Sequence, residues 1–152
     1  MREALRQAQI AADNDEVPVG AVITYQRRII ARAYNQVEML KDPTAHAEMI
    51  ALTQATHFLD NKWLQECTLY VTIEPCHMCA GAIVLARMKR LVYGAADPKA
   101  GACGSLAKIV QNHRLNHRVD VVSDVLQDEC RKIISDFFLR KRQIAKTQIN
   151  NS

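Results

Sequence analysis

Leu69-Tyr70-Val71-Thr72-Ile73-Glu74-Pro75-Cys76-His77-Met78-Cys79 reads as a buried strand that breaks at a proline and restarts as a helix. The apolar, β-branched and aromatic run over 68–73 suits a strand. Pro75 disfavours helical backbone at Glu74, while its own fixed φ suits a first helical turn. Cys76 and Cys79 stand at i and i+3, so both thiols project from one face of the new helix, expected over 76–89, one turn apart. They also lie near its positive end, where unpaired N–H groups and the macrodipole favour thiolate over thiol.

Upstream, His46-Ala47-Glu48 follows Asp42-Pro43-Thr44. His46 and Glu48 are i and i+2, which do not face each other inside a helix. Asp42-Pro43-Thr44 instead places both in the opening turn of a second helix, over 45–58, from which side chains reach past the end to a common point. Two helix N-termini are therefore expected to converge on one metal ion. One imidazole and two thiolates suit Zn²⁺, and three protein ligands leave the fourth tetrahedral position open for water, as catalytic sites require. His46, Cys76 and Cys79 are the expected ligands, and Glu48 is the carboxylate beside them.

Blander readings exist for each part. A lone C-x-x-C also occurs in redox motifs and zinc ribbons, but a ribbon needs a second C-x-x-C, and this chain has none. A lone H-x-E on a helix is usually a surface accident. The conjunction favours a catalytic zinc site over a structural one, which would have no use for Glu48. Cys67, Cys103 and Cys130 are isolated in the sequence and read as small buried hydrophobes.

Working outward, 152 residues at 49% hydrophobic composition suffice for one sizeable core and not for two ordinary domains. A single domain over 1–152 is expected, undivided by any linker, low-complexity tract or repeat. No signal-like segment or membrane-length apolar run is present. Five cysteines, two of them assigned to metal, argue against a disulfide framework and for a reducing, cytoplasmic setting. Met1, Ala4, Leu5, Ala8, Ala11 and Ala12 follow helical spacing. Residues 17–25 and 29–34 read as a strand pair around Gln26-Arg27-Arg28, a turn without Gly or Asn. Strands at 91–95 and 119–122, a short helix near 105–111 and a long final helix from about 125 complete the pattern. Leu126, Cys130, Ile133, Ile134, Phe137 and Phe138 give the last helix its apolar face, with at least one of the two phenylalanines in the core. Strands separated by helices indicate an α/β fold with βαβ units and a partly parallel sheet.

H-x-E combined with P-C-x-x-C resembles the zinc nucleobase deaminases. Glu16 to Val22, Asp42 to Glu48, Leu69 to Cys76, Gly94 to Gly101, Asn116 to Val119 and Asp136-Phe137-Phe138 resemble the tRNA-specific adenosine deaminase branch in particular. The resemblance implies a cytidine-deaminase-like three-layer α/β/α sandwich with a mixed sheet of about five strands. It implies one Zn²⁺ per subunit, a homodimer whose partner helps build the RNA surface, and a tRNA anticodon stem-loop as substrate. The implied reaction turns the wobble adenosine into inosine: zinc-activated hydroxide attacks the amine-bearing carbon, Glu48 moves the protons, and ammonia leaves. Single-stranded loops expose bases that flip at lower cost than those of a duplex. Met1 falls where that family already has helical sequence, which implies a start inside its first helix.

Substrate contacts follow from the same resemblance. Asn35 matches an asparagine that hydrogen-bonds the flipped nucleotide, although Asn also suits a turn. Asp97 and Lys99 match a loop that meets neighbouring sugar and phosphate groups, although Asp-Pro is an ordinary turn starter. The formal charge of +4 alone favours a solvated surface over nucleic acid. Arg140, Lys141, Arg142 and Lys146 cluster near the chain's end and are expected to meet RNA phosphates. Arg87, Lys89 and Arg90 read as cations closing the cysteine helix. Two rivals stay open: a free guanine or cytosine deaminase, with a closed pocket and no basic tail, and a catalytically idle zinc module that binds RNA as a partner subunit. Glu48 argues against the idle module.

Overall fold

The computed structural model describes residues 1–150. Its strands are β1 (Gly20–Tyr25), β2 (Arg28–Tyr34), β3 (Cys67–Ile73), β4 (Arg90–Ala95) and β5 (Asp120–Val122). They form one mixed sheet in the order β2-β1-β3-β4-β5, with β2 and β5 at the edges. β1 runs antiparallel to β2 and β3, whereas β3, β4 and β5 are parallel. The parallel pairing of β3 with β4 needs a crossover, which α4 (His77–Leu85) provides.

Helices α1 (Arg2–Asp13) and α5 (Gln127–Asn150) contact each other and the strands of one face. α3 (Ala47–Leu59) packs on β1 and β2 and also touches α4, forming the other helical layer. The α/β/α sandwich and five-stranded mixed sheet agree with the sequence reading. Ala21, Ile23, Leu69, Val71, Leu91 and Ala51 are buried in one core cluster. Burial on both faces explains why β3 and β4 read as nearly continuous apolar runs. α1 lies very close to β1: a Cβ at Gly20 would fall 1.9 Å from the Ala4 carbonyl oxygen. Its contact stripe is accordingly built of Ala4, Ala8, Ala11 and Ala12.

Several boundaries differ from the sequence expectations, and left-handed residues explain most of the differences. The hairpin turns at Gln26 and Arg27, with φ of 48° and 64°, as a two-residue turn of this kind requires, although neither is Gly or Asn. The cysteine helix stops at Leu85, not near residue 89. There Arg87 takes φ 57°, its N–H bonds Val84 O at 3.0 Å, and the Met88 N–H bonds Ile83 O at 3.2 Å. This is a Schellman ending with arginine in the usual glycine place. Asp15 and Asp60 end α1 and α3 in the same way. Because α4 stops early, Lys89 and Arg90 do not close it; Arg90 opens β4, and the Arg87 side chain bonds Asn116 O at 2.8 Å. Residues 105–111 hold only a 3₁₀ turn, Ile109–Gln111, where a short helix was expected. A four-residue helix, α2 (Val37–Leu40), follows β2 and was not anticipated.

Candidate active site

His46 and Cys76 are the N-caps of α3 and α4, both with extended backbone, φ −72° in each case. The caps are thus occupied by potential metal ligands where Ser, Thr or Asp usually stands. Glu48 lies in the first turn of α3, and Cys79 one turn into α4. The two helix starts converge as the spacing suggested. His46 Nδ1 is 3.7 Å from Cys76 Sγ and 3.6 Å from Cys79 Sγ, and the three ligand atoms lie within 4.8 Å of one another. A tetrahedral zinc has N–S edges of about 3.6 Å given its usual bond lengths. The donor set and its spacing therefore fit such an ion.

The electrostatics are those of a site ready to give up protons. Hydrogen bonding from Cys79, then from His46, holds the Cys76 thiol down at about 3. Cys79 is pushed up, first as the proton-bearing partner of Cys76 and then by burial. His46 is raised by its hydrogen bond to Cys76, against the effect of burial. Cys76 is the sulfur favoured as thiolate and Cys79 the one favoured to hold a proton, which metal binding would release. Glu48 is 3% exposed. Burial pushes its carboxyl up to about 7, although its own backbone N–H, the nearby His46 and the Cys79 thiol act the other way. The remaining cysteines behave as inert core groups: burial raises Cys67 and Cys130 to about 11 and Cys103 to about 12.

A cavity of about 280 Å³ opens beside this cluster, near the lower end of small-ligand sites. His46, Cys76 and Glu48 line it, together with Val17, Val19 and Ile73. Asn35 lines it too, 7% exposed, with its backbone N–H on Val19 O at 3.0 Å. Asp97, half-buried, lines it as well. Its Oδ1 accepts the N–H groups of Lys99 at 3.0 Å and Ala100 at 3.2 Å, so it also shapes its own turn. Lys99 is exposed and is not among the residues lining the cavity.

Two further buried carboxylates of the site were not singled out from the sequence. Glu16, 1% exposed, accepts the N–H groups of Glu38 at 3.0 Å and Met39 at 2.6 Å, fastening α2 to one rim. Glu74, 2% exposed, accepts the N–H groups of Asp97, Cys103 and Ser105 and so holds the loop that carries Asp97. The available signal was an acid set among apolar neighbours, in Glu16-Val17-Pro18 and at the apolar end of β3. The C-terminal basic cluster is partly engaged within the chain. Arg140 bonds Ala12 O at 3.3 Å and lies 5.6 Å from the Phe137 ring, while Lys141 pairs with Asp15. Arg142 and Lys146 are exposed. Phe137 is buried and Phe138 is 43% exposed, with the rings edge to face.

A family model described as MafB19-like deaminase matches residues 1–142. The tRNA-specific adenosine deaminase of Bacillus subtilis (strain 168) is 47% identical over 147 residues, covering 95% of this chain and 91% of that protein. A structure from studies of A-to-I editing by tRNA:A34 deaminases at the wobble position of transfer RNA superposes with a TM-score of 0.84. It is 44% identical and covers 88% of this chain and 96% of its own. A guanine deaminase structure from Bacillus subtilis is 40% identical with a TM-score of 0.60, over 62% of this chain and 61% of its own.

Proposed function

Since the chain belongs to the deaminase family that these matches define, we propose that it is a tRNA-specific adenosine deaminase, converting the wobble adenosine of an anticodon loop to inosine. The observation that carries the reading is a buried Glu48 lining the same cavity as His46 and Cys76 of the His46, Cys76 and Cys79 cluster, in a chain similar along 95% of its length to a tRNA-specific enzyme.

We assign His46, Cys76 and Cys79 as the ligands of one Zn²⁺ per subunit. When bound, the ion supplies a Lewis acid that makes water nucleophilic near neutral pH. Glu48 would pass one proton of the attacking water to the ring nitrogen as the oxygen bonds the amine-bearing carbon, and the water's second proton to the amine as the C–N bond breaks, leaving inosine and ammonia as the products. Its raised pKa suits a group that both accepts and returns a proton near neutrality. Val17, Val19 and Ile73 give the base an apolar seat that excludes water. Asn35 orients the flipped nucleotide, and Asp97 and Lys99 meet the sugar and phosphate groups beside it. Exposed Arg142 and Lys146 add phosphate contacts.

The working protein is a single-domain cytoplasmic homodimer in this reading. Among the described residues no helix is long and apolar enough to cross a membrane. Ammonia release and inosine formation on an adenosine-containing anticodon stem-loop test the assignment against free adenine, guanine and cytosine. Turnover of the stem-loop with little action on free bases is expected. Efficient turnover of a free base with an inert stem-loop would replace the tRNA reading with a free-base deaminase.

A further inference from the structure

Three buried glutamates line the cavity, Glu16, Glu48 and Glu74, and Glu74 accepts the most hydrogen bonds. Glu74 Oε1 accepts the Asp97 N–H at 3.2 Å and the Ser105 hydroxyl at 2.5 Å, while Oε2 accepts the N–H groups of Cys103 at 3.1 Å and Ser105 at 3.0 Å. A carboxylate offers about four acceptor positions, so these donors consume it. The loop they belong to wraps the carboxylate closely: a Cβ at Gly101 would fall 2.2 Å from Oε2. That loop is further tied to the strand that leads to the cysteines, through the Ala102 N–H on Pro75 O at 2.8 Å and a bridge between Cys76 and Gly101. Asp97 and Ala100, carried on the same loop, line the cavity.

From this geometry we infer that Glu74 is a positioning residue, fixing the Asp97–Ser105 loop as the rim against which the substrate seats, and that it is not a second proton carrier. The inference rests on the proposed deaminase reading for its kinetic consequence. Three backbone N–H groups would lose their acceptor without Glu74. An uncharged Gln at this position keeps the shape but replaces one acceptor oxygen by a donor. It would set N–H against N–H at Cys103 and Ser105, or at Asp97.

The test uses the zinc-loaded protein, its Glu74→Gln and Ser105→Ala variants and the double variant. Metal content, amide exchange over 97–105, and stem-loop kinetics from pH 5.5 to 9 are measured. The expected result is retained metal, faster exchange of the Cys103 and Ser105 amides, and a kcat/KM lower by about 10- to 100-fold, mostly through KM. The pH profile of kcat should keep its shape, and the double variant should lose less than the product of the single losses. Ser105→Ala, whose side chain lies outside the cavity lining, carries the same readouts if Glu74→Gln does not fold. Unchanged loop exchange, a lost limb of the pH profile, or fully multiplicative losses would each overturn the assignment. Wild-type protein inert on the stem-loop would count against the proposed function, whereas an active wild type with unaltered variants would count against Glu74.

Discussion

The start of α3 and the end of β3 each bring a glutamate into the cavity, at 3% and 2% exposure, and the two have opposite acid strengths. Glu48 is pushed up to about 7 because burial outweighs the groups around it. Burial pushes Glu74 up as well, but the Ser105 hydroxyl and N–H, with the N–H groups of Cys103 and Asp97, outweigh that effect and leave it lowered. Burial thus does not decide what a carboxylate does; the number of donors aimed at it does. The first glutamate is suited to moving protons and the second to holding a loop.

The largest expected effect tests whether the cluster beside Glu48 is a metal site at all. Cys76→Ala or Cys79→Ala should lose the ion and all turnover, whereas Cys103→Ala, 4% exposed and raised to about 12 by burial, should keep both. Equal metal loss in the Cys103 variant would remove the ligand assignment. Next in size, Glu48→Gln should bind stoichiometric zinc and fold, yet lose about 10⁴-fold in kcat, the upper range for general acid–base catalysis. Substantial residual activity would erase the distinction between the two glutamates.

Stability against pH sharpens the same contrast. Glu74 is lowered from 4.5, so its contribution is fully present above the unfolded value and is lost as pH falls through the folded one. Glu74→Gln should therefore cost about 1–3 kcal/mol near pH 7, and the gap should close in acid. Glu48 is raised, so its burial disfavours the fold increasingly as pH rises from about 4.5 through about 7. Metal-free Glu48→Gln should thus be more stable than metal-free wild type at pH 8 and no different at pH 4. Denaturant titrations at the two pH values check both signs. The smallest effect belongs to the surface: Arg142→Ala and Lys146→Ala should weaken stem-loop binding modestly, each reducing the salt slope by about 1. They are better probes than a truncation from Arg140, because Arg140 and Lys141 also hold α5 to the end of α1.

Much of the molecule was legible because its signals are local. Pro75 with cysteines at i and i+3 marks a strand-to-helix junction, and Asp42-Pro43-Thr44 marks the second helix start; the convergence of His46, Cys76 and Cys79 followed from those two. The misread boundaries lack the usual residue at the decisive place. Asp15, Asp60 and Arg87 adopt left-handed backbone without being glycine, so the end of α4 had no local mark. The roles of Glu16 and Glu74 were hidden for another reason. Their partners lie at least 22 residues away in the chain, and only the folded sheet brings donors and acceptors together.

The sheet's order also bears on how the protein behaves when concentrated. An edge strand offers unpaired N–H and C=O groups to any neighbouring chain, and a long apolar edge invites aggregation through strand addition. Here one edge, β5, is only Asp120–Val122 and opens with an exposed acid. The other, β2, carries exposed Arg28 and Arg32, and the Arg32 N–H is already taken at 3.1 Å by Gln54 Oε1 from α3. Shortness guards one side, and charge with a side-chain stopper guards the other, so the apolar centre of the sheet stays out of reach of strand-to-strand polymerisation.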